Sequence, residues 1–341
     1  MSLPPSSDAG SVGIVAIGRN EGARFVACLA SLPRGLPVVY VDSGSTDGSL
    51  KRARESGASV VNLDTSTGFT AARARNAGLY RLLADHPSIQ YVQFIDGDCA
   101  LDADWLTAGL AALTKEPGLA VVFGRRREMH PEASIYNAQC DREWDVPVGE
   151  VRACGGDALM RVAAVTAVGG YTEALIAGEE PDLCLRMRAK GWKIRRIAAE
   201  MTRHDADIHD IRSWWRRTKR SGHAYAEHVW IHGKNADPSW VRQCASLAIW
   251  GLAFPAFALV GLFAALVAPV ALVVPTAILM LYLVQFARLR AHLRRGGLTP
   301  GAARADAALL LLGKVAQVSG ALSFLWHRLT RRRSALIEYK R

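Results

Sequence analysis

The sequence predicts an α/β fold built on a mostly parallel sheet, followed by a helical hairpin that spans a membrane. Three observations predict it. Short apolar runs alternate with amphipathic helical stretches over residues 12–235, the pattern of parallel strands joined by crossover helices. Successive apolar runs end in polar, chemically able residues, at the sheet edge where such folds bind ligands. From Ala245 to Phe286 the chain holds no charged residue.

Taken in order, residues 1–11 have neither a basic segment nor an apolar core and read as a short disordered lead, not a signal peptide. Val12–Gly18 is a strand, and Glu21–Leu32 has helical spacing. Pro37–Asp42 is a strand, Gly48–Gly57 an amphipathic helix stopped by its glycine, and Ser59–Asp64 a short strand. Phe69–Asp85 is a helix and Tyr91–Asp96 the next strand. Asp102–Pro117 is a helix with Asp102 as its N-cap. Further on, Glu179, Glu180 and Asp182 open a helix that runs from Leu183 to Lys190.

Composition changes near residue 240, which divides the chain into a 12–235 domain and a 240–341 membrane region. A span needs about 20 apolar residues, so the uncharged run holds two, near 245–267 and 268–286, turning at Val267–Val270. A buried pair of core helices would keep a charged face toward water. Arg242 precedes the hairpin, and Arg288, Arg290, Arg294, Arg295 and Arg304 follow it, so both flanks are expected on the cytoplasmic side. A third apolar segment, 305–329, is interrupted by Lys314 and precedes Arg331, Arg332 and Arg333. An even number of crossings suits all three basic stretches, so this segment reads as an interfacial or re-entrant helix. A third crossing is the alternative.

The formal charge is +11 and half of the 341 residues are hydrophobic. Such a basic balance suits nucleic acid, a membrane surface or phosphate-bearing substrates. Much of it flanks the apolar helices, which disfavours nucleic acid. The six cysteines form no Cys-x-x-Cys pair and read as reduced thiols.

Three strand ends carry the chemistry. The first is "IGRNEG" with Arg19 and Glu21, the second "VDSGSTDGS" with Asp42, the third "FIDGDC" with Asp96, Gly97 and Asp98. Asp96 and Asp98 lie two apart and fall on one face if the strand continues. Close carboxylates repel unless a cation sits beside them. A hard divalent ion such as Mg²⁺ or Mn²⁺ would bridge them to a diphosphate. Asp-Gly is also a common turn pair, and Ser45, Thr46 and Asp47 could simply cap a helix.

Together, "VAIGRNEG", "VDSGSTDGS", "AARARNAGL" and "FIDGDC" resemble the family 2 glycosyltransferases over residues 12–232. The resemblance implies a GT-A (Rossmann-like) catalytic domain and a nucleotide-diphospho-sugar donor, a UDP-sugar before a GDP-sugar. It implies a divalent metal and inversion at the anomeric carbon. Ala16, Ile17, Arg19, Glu21 and Asp42 would line the base and ribose, with Arg75, Asn76, Asp96 and Gly97 near the nucleotide. Asp98 would be the main metal ligand, helped by Asp96 and His204. The general base would be Glu180, where the family commonly has Asp. Gly155, Gly156, Asp157 and Asp182 would belong to the donor-sugar or acceptor side. Trp214, Trp215, Arg216, Arg217 and Arg220 form a basic aromatic patch that would cover the diphosphate or the sugar, or else lie on the membrane. Trp-Trp-Arg-Arg stands where processive members have Gln-x-x-Arg-Trp.

The expected protein is a multi-pass inner-membrane enzyme with a cytoplasmic catalytic domain and a lipid-linked or membrane-associated acceptor hydroxyl. The alternatives are a polyprenyl-phosphate glycosyltransferase, and a non-catalytic scaffold with a degenerate transferase domain.

Overall fold

The computed structural model describes residues 11–66 and 68–331. The expected lead, except Ser11, and the tail residues Arg332 and Arg333 lie outside these residues. The chain forms two compact units. The first runs to Pro131 and resumes over Cys140–Asp207; the second comprises Glu132–Gln139 and everything from Ile208 onward.

The chain alternates as β1 (Val12–Gly18), α1 (Gly22–Ser31), β2 (Val38–Asp42), α2 (Ser49–Glu55), β3 (Ser59–Asn62), α3 (Ala71–Asp85), β4 (Tyr91–Asp96), β5 (Cys99–Leu101) and α4 (Trp105–Lys115). It continues as β6 (Leu119–Glu128), α5 (Ile135–Glu143), β7 (Gly149–Val151), β8 (Ala158–Arg161), α6 (Val162–Ala167), α7 (Glu179–Ala189) and β9 (Lys193–His204). The nine strands among the described residues form one sheet in the order β3-β2-β1-β4-β8-β6-β9-β5, with β7 beside β9. The β3-β2-β1-β4 half is parallel, as crossover helices require. The other half is mixed: β8 runs antiparallel between β4 and β6, and β6 and β9 are parallel.

The core is the apolar interior of this sheet. Ile14, Val15, Val39, Val41, Phe94 and Ile95 are buried together with Leu79 and Leu82 of α3. A Cβ at Gly78 would run into the Val15 side chain, so this glycine lets α3 seat on β1. Burying a polar group requires a partner. The fully buried Gln93 accepts from Trp105 Nε1 at 2.7 Å and thereby ties α4 to the sheet.

Two local expectations shift. Asp104, not Asp102, precedes α4, because Asp102 Oδ1 accepts from the Asp104 backbone N–H at 3.1 Å in a turn of its own. The helix expected from Leu183 starts at Glu179, directly after Gly178 at φ 81°.

The second unit is helical: α8 (Ile211–His232), α9 (Pro238–Leu247), a π turn (Ala248–Ala253), α10 (Phe254–Ala264), α11 (Val273–Arg295) and α12 (Pro300–Leu329). Asp210 caps α8 by accepting from the Arg212 and Ser213 amides. Within this unit, Trp214 Nε1 donates to Gln139 Oε1 at 2.9 Å. Among the described residues, three continuous helices are long and apolar enough to cross a membrane. They are Pro238–Ala264, Pro269–Arg295 and Pro300–Leu329, whose most apolar stretches have mean hydropathies of 2.1, 2.2 and 1.6. The break between the first two falls near the expected turn.

Candidate active site

The parallel register brings the loaded strand ends level. Ile17 pairs with Asp96 and Gly18 with Asp42. Each strand stops there because its next residues turn. The Gly97 amide donates to the Ile17 carbonyl at 2.7 Å, and a Cβ on Gly97 would lie 3.1 Å from that oxygen. The turn therefore brings Asp98 around to β9. There β5 pairs antiparallel with β9, Cys99 opposite His204, and His204 Nε2 stands 3.4 Å from Asp98 Oδ2. Ligand atoms of Asp98, Cys99 and His204 all lie within 4.8 Å of one another. A carboxylate oxygen and an imidazole nitrogen at this spacing could hold a divalent cation, which would supply Lewis-acid charge at this strand end.

Asp96 sits in a different setting. Its Oδ1 lies 2.8 Å from Arg75 Nη2 and its Oδ2 lies 3.1 Å from Arg126 Nη2. Burial alone would raise its pKa, but the two guanidinium groups outweigh burial and hold the carboxyl below the usual range. Arg126 also grips Asp157, Nη2 to Oδ2 at 2.8 Å and Nε to Oδ2 at 2.9 Å. Arg126 lies over the Trp144 ring, and that ring meets His204 edge-on at 4.7 Å. Asp157 is 1 % exposed. It accepts from the Asp96 amide at 3.0 Å and from Thr202 Oγ1 at 2.8 Å.

Arg75 joins this corner to α7. Its Nη1 holds Glu179 Oε1 at 3.0 Å and Glu180 Oε1 at 2.8 Å. Burial and the neighbouring Glu179 charge push the Glu180 carboxyl up to about 7, against the pull of Arg75. Gly156 lies directly under the Arg75–Asp96 pair: a Cβ there would come within 2.6 Å of Arg75 Nη2 and 2.7 Å of Asp96 Oδ2. A Cβ at Gly155 would meet nothing within 4 Å.

The other expected residues have local partners. Asp42 is 2 % exposed; it accepts from the Tyr40 hydroxyl at 3.0 Å and from the Gly44 and Ser45 amides. Arg19 stacks on Phe69, and Glu21 pairs with Arg24 at 3.1 Å. Ala16 and Ile17 are buried in β1. Asn76 spends its amide on Tyr171 and Glu173. Asp182 binds Arg186 and Thr172, fixing α7. Trp214, Trp215, Arg216, Arg217 and Arg220 all lie on α8, in the second unit. Sequence reasoning missed Arg126, Cys99 and Trp144. Arg126 had a signal, since "FGRRRE" carries charge straight out of an apolar strand as "FIDGDC" does.

Residues 12–155 match the model of glycosyl transferase family 2. A pre-mycofactocin glycosyltransferase of Mycobacterium tuberculosis is 28% identical over 276 residues, covering 76% of this chain and 54% of that protein. The chain thus spans about half the length of that curated relative. An uncharacterized glycosyltransferase of Mycobacterium bovis is 30% identical over 190 residues, 51% of this chain and 78% of that protein. Among solved structures, a mannosyltransferase from Pyrobaculum calidifontis in complex with GDP-Man and Mn²⁺ shares the fold. Its TM-score is 0.59 at 17% identity, over 93% of this chain and 88% of that one. With its strand-end aspartates, its mixed sheet and these relatives, the chain belongs to the family 2 glycosyltransferases and has the GT-A fold.

Proposed function

We propose that this chain is an inverting, metal-dependent glycosyltransferase that moves a sugar from a nucleotide-diphospho-sugar to a lipid-linked or membrane-associated hydroxyl. The observation that carries the reading is Glu180. It is a largely buried carboxyl beside Arg75 at the start of α7, with its pKa near 7, where a general base works best at neutral pH.

Glu180 takes the proton of the acceptor hydroxyl as that oxygen bonds to the anomeric carbon. The bond from that carbon to the diphosphate breaks on the opposite face, and the nucleoside diphosphate leaves with the electron pair. Asp98 and His204 would hold Mg²⁺ or Mn²⁺, which neutralises charge on the leaving diphosphate. Arg75 and Arg126 keep Asp96 charged and fixed at the strand end. Asp42 holds the β2 turn in the shape that would meet the base or ribose.

Three apolar helices support membrane association. The basic flanks and the need for nucleotide sugars support an inner membrane with the catalytic unit in the cytoplasm. The Pyrobaculum mannosyltransferase complex supports including GDP-mannose beside UDP-sugars among donors to test. The test is a panel of UDP- and GDP-sugars with Mn²⁺, scored by thermal shift and by transfer to membrane lipid extracts. One donor should stabilise the protein and label a lipid. No donor binding with Mn²⁺ present would overturn the reading. Transfer that survives Glu180→Gln unchanged would redirect it to a polyprenyl-phosphate acceptor, which needs little base help.

A further inference from the structure

By length and composition α12 qualifies as a third membrane span, yet its neighbours set its depth. Buried residues occupy 39% of its most apolar stretch, against 17% and 6% for the two helices of the hairpin. Its main neighbour is α8. The helices run side by side in the same direction: Gly313 meets Trp214 and Thr218, Gly320 meets the backbone of Lys219 and His223, and Gly222 meets the backbone of Gln317. Farther along, Phe324 packs on His223 at 5.3 Å, and Arg328 lies over Trp230 at 5.7 Å. Glycines at the crossing let the two backbones touch, so the pair moves as one.

Over this stretch α8 carries Arg216, Arg217, Lys219, Arg220 and Glu227. If Gly313–Arg328 stood in hydrocarbon, these five charges would stand there too, at a cost no apolar contact of α12 offsets. Ahead of Gly313, α12 offers only Pro300–Leu312. At 1.5 Å per residue that is about 20 Å, short of the roughly 30 Å hydrocarbon core. The level of α12 agrees. Lys314 Nζ donates to Gln243 at 3.0 Å, and Val318 and Ala321 pack on Leu247, all near the start of the first span. The side of α12 away from α8 exposes Leu312, Val315, Leu322 and Trp326 in one stripe, with Trp230 exposed beside it on α8. Apolar residues edged by tryptophan and arginine suit the water–lipid boundary.

We infer that α12 does not cross the membrane but lies in its interface, locked to α8, with the Leu312–Trp326 stripe in the lipid. Thr330 then stays on the side where α11 ends. This rests on the reading that the hairpin spans a bilayer, and the test separates the two. Single cysteines are placed in the full-length chain as Arg295→Cys, Val267→Cys and Thr330→Cys. Sealed membrane vesicles are treated with a membrane-impermeant maleimide–polyethylene glycol, with the unsubstituted chain as baseline. Thr330→Cys should gain the mass shift under the same conditions as Arg295→Cys, while Val267→Cys needs the opposite vesicle orientation or detergent. If Thr330→Cys follows Val267→Cys, α12 crosses and the inference falls. If Val267→Cys follows Arg295→Cys, the hairpin itself does not cross, and the membrane reading falls with everything built on it.

Discussion

Glu180 Oε1 lies 2.8 Å from Nη1 of Arg75, the same nitrogen that holds Glu179 at 3.0 Å. One guanidinium thus serves two adjacent carboxylates, and burial together with the Glu179 charge pushes Glu180 to about 7. Glu180→Gln keeps the shape and removes the proton acceptor. Its kcat should fall by about 10²–10⁴-fold, the usual worth of a general base. Donor binding, followed by calorimetry, should change little.

The pH dependence tests the same pair. Transfer should rise with pH through about 7, half-maximal where Glu180 is half ionised, and level off above it. Glu179→Gln removes a charge that raises Glu180, so the midpoint of the kcat–pH profile should move to lower pH. Stability follows the opposite course. The folded pKa of Glu180 is raised, so its contribution is full below 4.5 and is lost as pH rises through about 7. Chemical denaturation across this window should show a decline in the parent protein that Glu180→Gln lacks.

Asp98→Ala should abolish metal-dependent nucleotide binding and leave the melting temperature nearly unchanged. Loss of a ligand should cost more than the roughly 10–100-fold typical of residues that merely support ligands. Titration of Mn²⁺ with nucleoside diphosphate measures it. Full transfer by this variant in EDTA would remove the metal from the mechanism.

Arg126→Met leaves the buried Asp157 without its guanidinium partner, while the half-buried Asp96 keeps Arg75. Breaking such a pair from one side costs about 3–5 kcal/mol, so the melting temperature should drop clearly. Arg126→Lys should recover part of the loss, because an ammonium restores the charge but not the two-pronged grip.

Gly156→Ala should push Arg75 and Asp96 apart, since the new methyl falls on their contact. A displacement of about 1 Å near reacting groups can cost about 10²-fold. Gly155→Ala enters open space and should keep most activity. Equal effects in the two variants would mean that the Arg75–Asp96 contact has no catalytic weight.

The loaded strand ends were legible because each apolar run stops at a polar residue, and parallel register forces the stops level at Gly18, Asp42 and Asp96. His204 was legible for a similar reason, at the end of β9. Local chemistry hid the rest. Asp157 and Asn76 are the residue types that bind sugars, yet here their polar atoms hold Arg126, Thr202, Tyr171 and Glu173. Nothing along the chain tells a ligand-binding amide from one that ties a turn. Arg126 reaches Asp96 across 30 residues, and a triple arginine reads as a solvated face until the sheet order puts β8 between β4 and β6. The length of α12 was legible, but not its partner, because α8 lies about 100 residues earlier.

The carboxylates and guanidiniums form an unbroken line: Glu180, Arg75, Asp96, Arg126, Asp157, with Thr202 at the far end. It threads α7, α3, β4, β6, the residue just before β8, and β9. Asp96 is the link through which the line reaches the base, because its charge helps to raise Glu180. A neutralising change at Asp96 should therefore lower the pH at which Glu180 gives up its proton, although Arg75 stands between them. Paired substitutions at these two positions should depart from additivity even though their side chains never touch.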